Sequence, residues 1–226
     1  TPLLLETAHT VWDGQTITYG LFTGSLRGTL RDDGSLEVEG VRYPLPLPGD
    51  HNALNFLAAI AVMRILKLDE TPLQKGITVN LPSGRAQQYK LSNDIILLDE
   101  SYNAGAESME ASLNLLAKTP GTRRIAVLGP MKELGEYSEE LHRKVGAQVE
   151  ALPIDALYIL DKGPEGSAIA QGTTSVPTQQ FKTHEALIAS LLENIQAGDR
   201  VLFKASHAIG LDRVVNELTA IFKSTT

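Results

Sequence analysis

The segment Asp99-Glu100-Ser101-Tyr102-Asn103 sets two carboxylates, a hydroxyl, a phenol and an amide in five successive positions, directly after the apolar run Ile95–Leu98. In an α/β protein ligands gather at the carboxyl ends of strands, so polar chemistry belongs there. A carboxylate such as Asp99 or Glu100 can hold a ribose hydroxyl or a metal ion, or serve a purely structural end. Tyr102 and Asn103 can orient a substrate, or simply pack with their polar groups satisfied. Lys204-Ala205-Ser206-His207 ends another apolar run and precedes a helix, where an ammonium, a hydroxyl and an imidazole suit a carboxylate or phosphate. The alternative there is an N-cap serine beside a surface lysine. Asn52 and Asn55, just after Gly49-Asp50-His51, share one helix face. Two carboxamides can read the edge of a purine; otherwise Asp50 or Asn52 caps the helix. Arg85 follows a Pro-Ser-Gly turn and can clamp a phosphate, or remain a solvated arginine. In Leu128-Gly129-Pro130-Met131-Lys132-Glu133-Leu134-Gly135 the glycines allow a tight strand-to-helix turn, and Lys132 and Glu133 are expected to face a cleft between domains. His142 has no second partner at metal-ligand spacing and is read as part of a solvated helix face. His9 and His184 carry no signal.

The elements that must position these groups fall into two patterns. Gln15–Phe22, Ser25–Arg31 and Ser35–Tyr43 alternate apolar and polar residues between turn signals, which predicts strands of an antiparallel sheet. Pro44, Pro46 and Pro48 force an extended exit. His51–Lys67 predicts a helix, with Leu54, Leu57, Ala58, Val62, Ile65 and Leu66 at helical spacing. Thr71-Pro72 opens a second helix through about Val79. From about residue 88 strands and helices alternate: strands at Ile95–Leu98, Ile125–Leu128, Ala156–Leu160 and Val201–Lys204, helices at Glu107–Lys118, Ser138–Glu150, His184–Asn194 and Gly210–Phe222. Short apolar strands between amphipathic helices imply a doubly wound, mostly parallel α/β sheet. Gly163–Gln179 reads as a loop-rich stretch. A domain boundary is expected near residue 86.

Composition narrows the function classes. The 226 residues are 42% hydrophobic and 21% charged, ordinary for a globular protein. A net charge of −7 with scattered Lys and Arg disfavours nucleic acid and anionic membrane as partners. There is no cysteine, which excludes disulfides and thiolate chemistry. No apolar run approaches the roughly 18 residues of a membrane span. The opening Thr1-Pro2-Leu3-Leu4-Leu5-Glu6 lacks the basic region of a signal peptide and reads as a chain starting in mid-fold. No G-x-G-x-x-G follows a strand, which argues against a dehydrogenase or methyltransferase.

Taken in order, Gly49-Asp50-His51-Asn52-Ala53-Leu54-Asn55, Pro82-Ser83-Gly84-Arg85, Asp99–Ala104, Leu128–Gly135 and Lys204–His207 resemble the Mur ligase family. The Ser-Tyr-Asn-Ala and Leu-Gly-x-Met-x-Glu-Leu-Gly elements resemble the branch that joins D-alanyl-D-alanine to UDP-MurNAc-tripeptide. The Asp-Asn-Pro-Arg motif of the branch that adds the diamino acid is missing. The resemblance implies a Rossmann-like C-terminal domain over 87–226, preceded in 1–86 by the C-terminal part of a central ATP-binding domain. It implies a monomeric, bacterial, cytoplasmic amide ligase that uses ATP with Mg2+. It matches His51, Asn52, Asn55, Arg85 and Asp99 to the ATP side, and Tyr102, Asn103, Lys132, Lys204 and Ser206 to the dipeptide side. The family's Gly-Lys-Thr/Ser phosphate loop, its carbamylated lysine and its UDP-sugar domain do not occur in this sequence, so the chain alone is expected to be inactive. A non-catalytic module that keeps the fold and binds a ligand is the competing expectation. The sequence departs from the family at Gly105-Ala106 (often Asn-Pro), Pro130 (often Asp), Ala205 (Gly) and His207 (Arg).

Overall fold

The structure, a computed structural model, describes residues 2–161 and 163–224, which form two units, one up to Val79 and one from Asn80 onward. The first unit opens with helix α1 (Pro2–His9), for which the sequence pattern offered no signal. Its sheet runs in the order β1 (Tyr19–Gly20), β2 (Leu26–Leu30), β3 (Ser35–Val38) and β4 (Val41–Pro44). β2, β3 and β4 are antiparallel as expected, whereas β1 pairs with β2 in parallel and spans only two residues. The reason is local. Thr18 and Ser25 exchange bonds, Ser25 N–H to Thr18 Oγ1 at 2.9 Å and Thr18 N–H to Ser25 Oγ at 3.0 Å, so at Thr18 side chains take the place of a ladder.

Helix α2 (Asp50–Ile65) covers this sheet with Ala53, Phe56, Leu57, Ile60 and Ala61. Of the residues at helical spacing Leu57 is buried and Ala58 half-buried, as expected, whereas Leu54, Val62, Ile65 and Leu66 are exposed. α2 is apolar around most of its circumference, so periodicity cannot tell which side packs. The second helix, α3, is also shorter than predicted: it covers Thr71–Gln74, and Gly76, at φ 83°, turns the chain away.

The second unit is a six-stranded sheet in the order β5-β6-β10-β7-β8-β9, formed by β5 (Gln87–Lys90), β6 (Ile96–Asp99), β7 (Arg123–Leu128), β8 (Ala156–Leu160), β9 (Thr178–Phe181) and β10 (Asp199–Lys204). All neighbours are parallel except β5, which runs antiparallel to β6. Strand residues alternate between two cores. Leu98, Ala126, Leu128, Leu157, Ile159 and Leu202 face α4 (Ala106–Lys118), α5 (Ser138–Ala151) and α6 (Pro164–Gln171). Leu97, Ile125, Val127, Tyr158, Val201 and Phe203 face α7 (His184–Asn194) and α8 (Leu211–Ser224). Helices on both faces confirm the doubly wound α/β class.

The stretch read as loop-rich holds α6 and the start of β9. Its anchor is Glu150 at the end of α5, whose carboxylate collects the N–H groups of Thr174, Ser175 and Val176 and the hydroxyls of Thr174 and Ser175. Those donors hold the acid down at about 2.

Tyr43 gives the first unit a measurable signature. Its phenol is buried and donates to Glu70 Oε2 at 2.6 Å, while Arg64 pairs with Glu70 at 2.9 Å. Burial, reinforced by the Glu70 carboxylate, pushes the phenol up to about 12. The folded state therefore holds this proton more tightly than the unfolded chain, and the contribution is complete below about pH 10 and lost as pH rises through the folded value. In urea denaturation at neutral pH, Tyr43→Phe is expected to cost about 1 kcal/mol. That deficit should shrink as alkaline pH is raised toward the folded value; a constant deficit would show that the phenol proton is not what stabilises.

Candidate functional site

The carboxyl ends of β6, β10 and β7 lie side by side because β10 inserts between the other two. Phe203 registers with Asp99 and Lys204 with Leu128. β5 adds a fourth segment. Running antiparallel, it sets Gln87 opposite Asp99, so the turn that precedes it, with Gly84 and Arg85, reaches the same edge. Arg85, Asp99, Tyr102, Asn103, Lys132, Lys204 and Ser206 are thereby gathered at one edge of the second unit. His51, Asn52 and Asn55 belong to the first unit, on the opening turns of α2.

At that edge the side chains are held from several directions. Asp99 is buried, and its Oδ1 accepts from Ser101 N–H at 3.1 Å and Ser101 Oγ at 2.6 Å. Burial raises its pKa despite those bonds. Burial likewise raises Glu100, whose pKa the Lys204 ammonium and the Arg85 guanidinium pull back in part. Lys204, only 3% exposed, donates from Nζ to the Asn103 carbonyl at 2.9 Å. Burial lowers its pKa, Glu100 works against that, and Arg85 adds to it. Three ionisable groups perturbed by burial on adjacent strand ends make this edge the candidate site.

Above them sits a three-layer stack. The Arg85 guanidinium carbon lies 4.2 Å from the Tyr102 ring centre, and the Tyr102 ring stacks on His207 with centroids 5.3 Å apart. Each member comes from a different loop. The stack orients Arg85 by its face, leaving the N–H edge to meet an anion. Sequence spacing gave no sign of His207 as a partner of Tyr102, because only the sheet order brings the two loops together.

The loops after β7 and β10 are also tied. Gly129 N–H bonds to Lys204 O at 3.0 Å, Ser206 N–H to Pro130 O at 3.0 Å, and Lys132 N–H to Ser206 Oγ at 2.9 Å. A Cβ on Gly129 would lie 2.9 Å from the Ala205 methyl, so this glycine makes the room that Ala205 fills. The Lys132 ammonium is exposed and 3.6 Å from Glu165. His142 is not on a solvated face: it is fully buried and hydrogen-bonded through both ring nitrogens. A helix position that looks polar by period can still face inward when a loop folds over it.

In the first unit Asn52 is half-buried and donates from Nδ2 to Pro48 O at 2.7 Å, and Asn55 is exposed. The N-cap of α2 is Gly49, without a side-chain cap, so neither Asp50 nor Asn52 fills the capping role the sequence allowed. Among the described residues no three His, Cys, Asp or Glu side chains converge as a metal site, and no helix is long and apolar enough to cross a membrane.

Residues 84–207, more than half the chain and including every strand-end loop of this site, match the family described as Mur ligase, glutamate ligase domain. The chain belongs to the Mur ligase family. Within the Mur ligases it is 54% identical over 218 residues to the UDP-N-acetylmuramoyl-tripeptide–D-alanyl-D-alanine ligase of Synechocystis sp., covering 96% of this chain and 48% of that one. The MurF ligase of Thermotoga maritima, solved in complex with ADP, superposes with a TM-score of 0.79 at 26% identity, over 100% of this chain and 52% of that one. MurF from Acinetobacter baumannii superposes with a TM-score of 0.81 at 25% identity, over 95% and 49%. The chain spans about half the length of the curated Mur ligase relatives it matches.

Gly84 is the residue on which the stack turns. It has φ 78°, and a Cβ there would meet Ser101 Oγ and Tyr102 N, each at 2.9 Å, while its carbonyl accepts from Tyr102 N–H at 2.9 Å. Gly84→Ala is therefore expected to destabilise the second unit by about 1–3 kcal/mol in chemical denaturation. It should also release Arg85 from Tyr102, read as a shift of the Tyr102 ring resonances. Unchanged ring resonances would mean that the turn does not position the arginine.

Proposed function

We propose that this chain is part of an ATP-dependent amide ligase that adds D-alanyl-D-alanine to UDP-MurNAc-tripeptide, acting in the bacterial cytoplasm. The observation that carries this is the 54% identity, over nearly the whole chain, to a relative bearing that activity. In that reaction ATP supplies the phosphoryl group that activates the terminal carboxylate of the tripeptide, and the dipeptide amine then displaces phosphate to leave the amide.

Each unit, taken by itself, carries groups that suit part of a nucleotide. Asn52 spends one amide hydrogen on Pro48, and its carbonyl oxygen suits an exocyclic amine of adenine, with His51 and Asn55 on the same turns. Asp99, acceptor-only when ionised, suits a ribose hydroxyl. Arg85, held by its face against Tyr102, presents guanidinium hydrogens to a phosphate. On the dipeptide side, Lys204 and Ser206 offer a cation and a hydroxyl at the end of β10, with Tyr102, Asn103 and Lys132 around them. The buried Lys204 ammonium interacts with an incoming anion more strongly than a solvated lysine would. No residue of this chain is assigned to magnesium, since the described residues contain no convergent set of acidic or imidazole ligands.

The test is a ligase assay on the native protein that carries this sequence, supplied with UDP-MurNAc-tripeptide, ATP and D-alanyl-D-alanine. Product dependent on all three substrates is expected, with Arg85→Ala lowering kcat by about a hundredfold or more, as for loss of a preorganised donor to developing charge. The 226-residue chain alone should bind ADP without forming product. ADP binding with no turnover by the native protein would overturn the ligase and leave a nucleotide-binding module.

A further inference from the structure

His142 lies on α5 with no exposed surface, and nothing in the reaction just described uses it. Each ring nitrogen has its shortest contact with a group of fixed role, and the Ser138 hydroxyl, which can turn to accept, lies farther off at 3.4 Å from Nδ1. Nε2 is 2.9 Å from the Met131 nitrogen, which can only donate, and Nδ1 is 2.6 Å from the Ser138 carbonyl, which can only accept. A single proton on Nδ1 satisfies both contacts. A proton on Nε2 would oppose the Met131 hydrogen, and its absence from Nδ1 would set a lone pair against a carbonyl. The surroundings therefore select one neutral tautomer.

What the ring holds is the loop after β7. Met131 and Lys132 are neighbours whose N–H groups go to different elements, one to His142 on α5 and the other to Ser206 Oγ at 2.9 Å. Ser206 N–H returns to the Pro130 carbonyl at 3.0 Å. The segment is thus clamped between α5 and the end of β10. It needs a clamp, for Glu133 just beyond adopts φ 64°, a left-handed conformation that a non-glycine residue keeps only when its surroundings impose it.

We infer that His142, as the imidazole protonated on Nδ1, is a positioning residue that holds Met131–Lys132 in register with Ser206. It thereby sets the place of the Lys132 and Ser206 groups toward the dipeptide, a last step that rests on the ligase reading above.

Nitrogen-15 NMR of the histidine side chains in the full chain tests the first part. His142 should show Nδ1 protonated and Nε2 bare at neutral pH; a ring protonated on Nε2 would overturn the inference. Two substitutions test the second part. His142→Gln brings an amide oxygen to the place of Nε2 and keeps an acceptor for Met131, whereas His142→Asn reaches only the place of Nδ1. Amide exchange at Met131 and Lys132 should be about tenfold faster in H142N, the equivalent of one lost hydrogen bond, and close to wild type in H142Q. Equal exchange in all three proteins would overturn the clamp. Should H142N not fold, the wild-type tautomer decides: Nε2 bare supports the clamp and Nε2 protonated overturns it. In the native protein's ligase assay, H142N should raise KM for D-alanyl-D-alanine, leave KM for ATP unchanged and be rescued by H142Q. Faster exchange with an unchanged dipeptide KM would confine His142 to the fold. A wild-type protein without ligase activity would remove the reaction while the NMR and exchange results still settle the clamp.

Discussion

The structure of the second unit depends on the insertion of its last strand into the middle of the sheet. β10 pairs along its length with β7 on one side and with β6 on the other, and all six of its residues are buried. Until it docks, β6 and β7 have no partner between them, and their terminal loops have no reason to meet. Once it docks, Glu100 N–H bonds to Phe203 O and Gly129 N–H to Lys204 O, so the polar loops are stitched by the chain that separates them. This is closure at long sequence distance, slow and entropically costly to form, but rigid when made. The N-terminal ends of the same strands are secured by Arg123, bonded to Asp199 at 2.6 Å, and by Arg200, bonded to Pro120 O and Asp94. Two arginines at one edge leave the opposite edge to do chemistry.

At that opposite edge charges are placed where water cannot fully solvate them. Burial disfavours the ionised forms of Asp99, Glu100 and Lys204 alike; the attraction between Glu100 and Lys204 returns only part of the loss, and Asp99 beside Glu100 adds repulsion. Such an arrangement is poor for stability and good for recognition, because an added anion or hydroxyl finds groups already oriented. The Lys204 bond to the Asn103 carbonyl and the stack of Arg85 on Tyr102 on His207 act the same way: each spends one face or one hydrogen on the fold and leaves the rest for a ligand. The His207 imidazole supplies the flat surface on which the Tyr102 ring rests.

The central strands and the long helices were legible from pattern alone. Ala156–Leu160 and His184–Asn194 appear with the predicted limits, because apolar strands buried on both faces and amphipathic helices leave strong periodic signals. Both edge strands of the sheet were not. Gln87–Lys90 and Thr178–Phe181 are polar sequences with little to bury, and an edge strand needs no apolar pattern since one side of its backbone and much of its surface face water. The candidate site was legible as separate motifs, each ending a strand or opening a helix. Its assembly was not, because sheet order decides which loops meet, and nothing local in Val201–Lys204 says that it enters between β6 and β7. His142 was misread for the same reason: its inward position is set by the loop after β7, eleven residues earlier in the chain.

The missed edge strand β5 is also what makes Arg85 part of the site. A parallel strand at that position would begin at the far end of the sheet, and the turn before it would lie a strand length away from Asp99. Because β5 runs against β6, its first residue, Gln87, stands opposite the last of β6, Asp99. The antiparallel exception in an otherwise parallel sheet is thus the device that carries a chain entering this unit directly onto the carboxyl-end edge. Gly84, with a backbone conformation that side chains resist, makes the final turn, and Tyr102 receives the arginine. Topology, a single glycine and one aromatic ring together fix a guanidinium that sequence spacing alone would leave as a solvated surface residue.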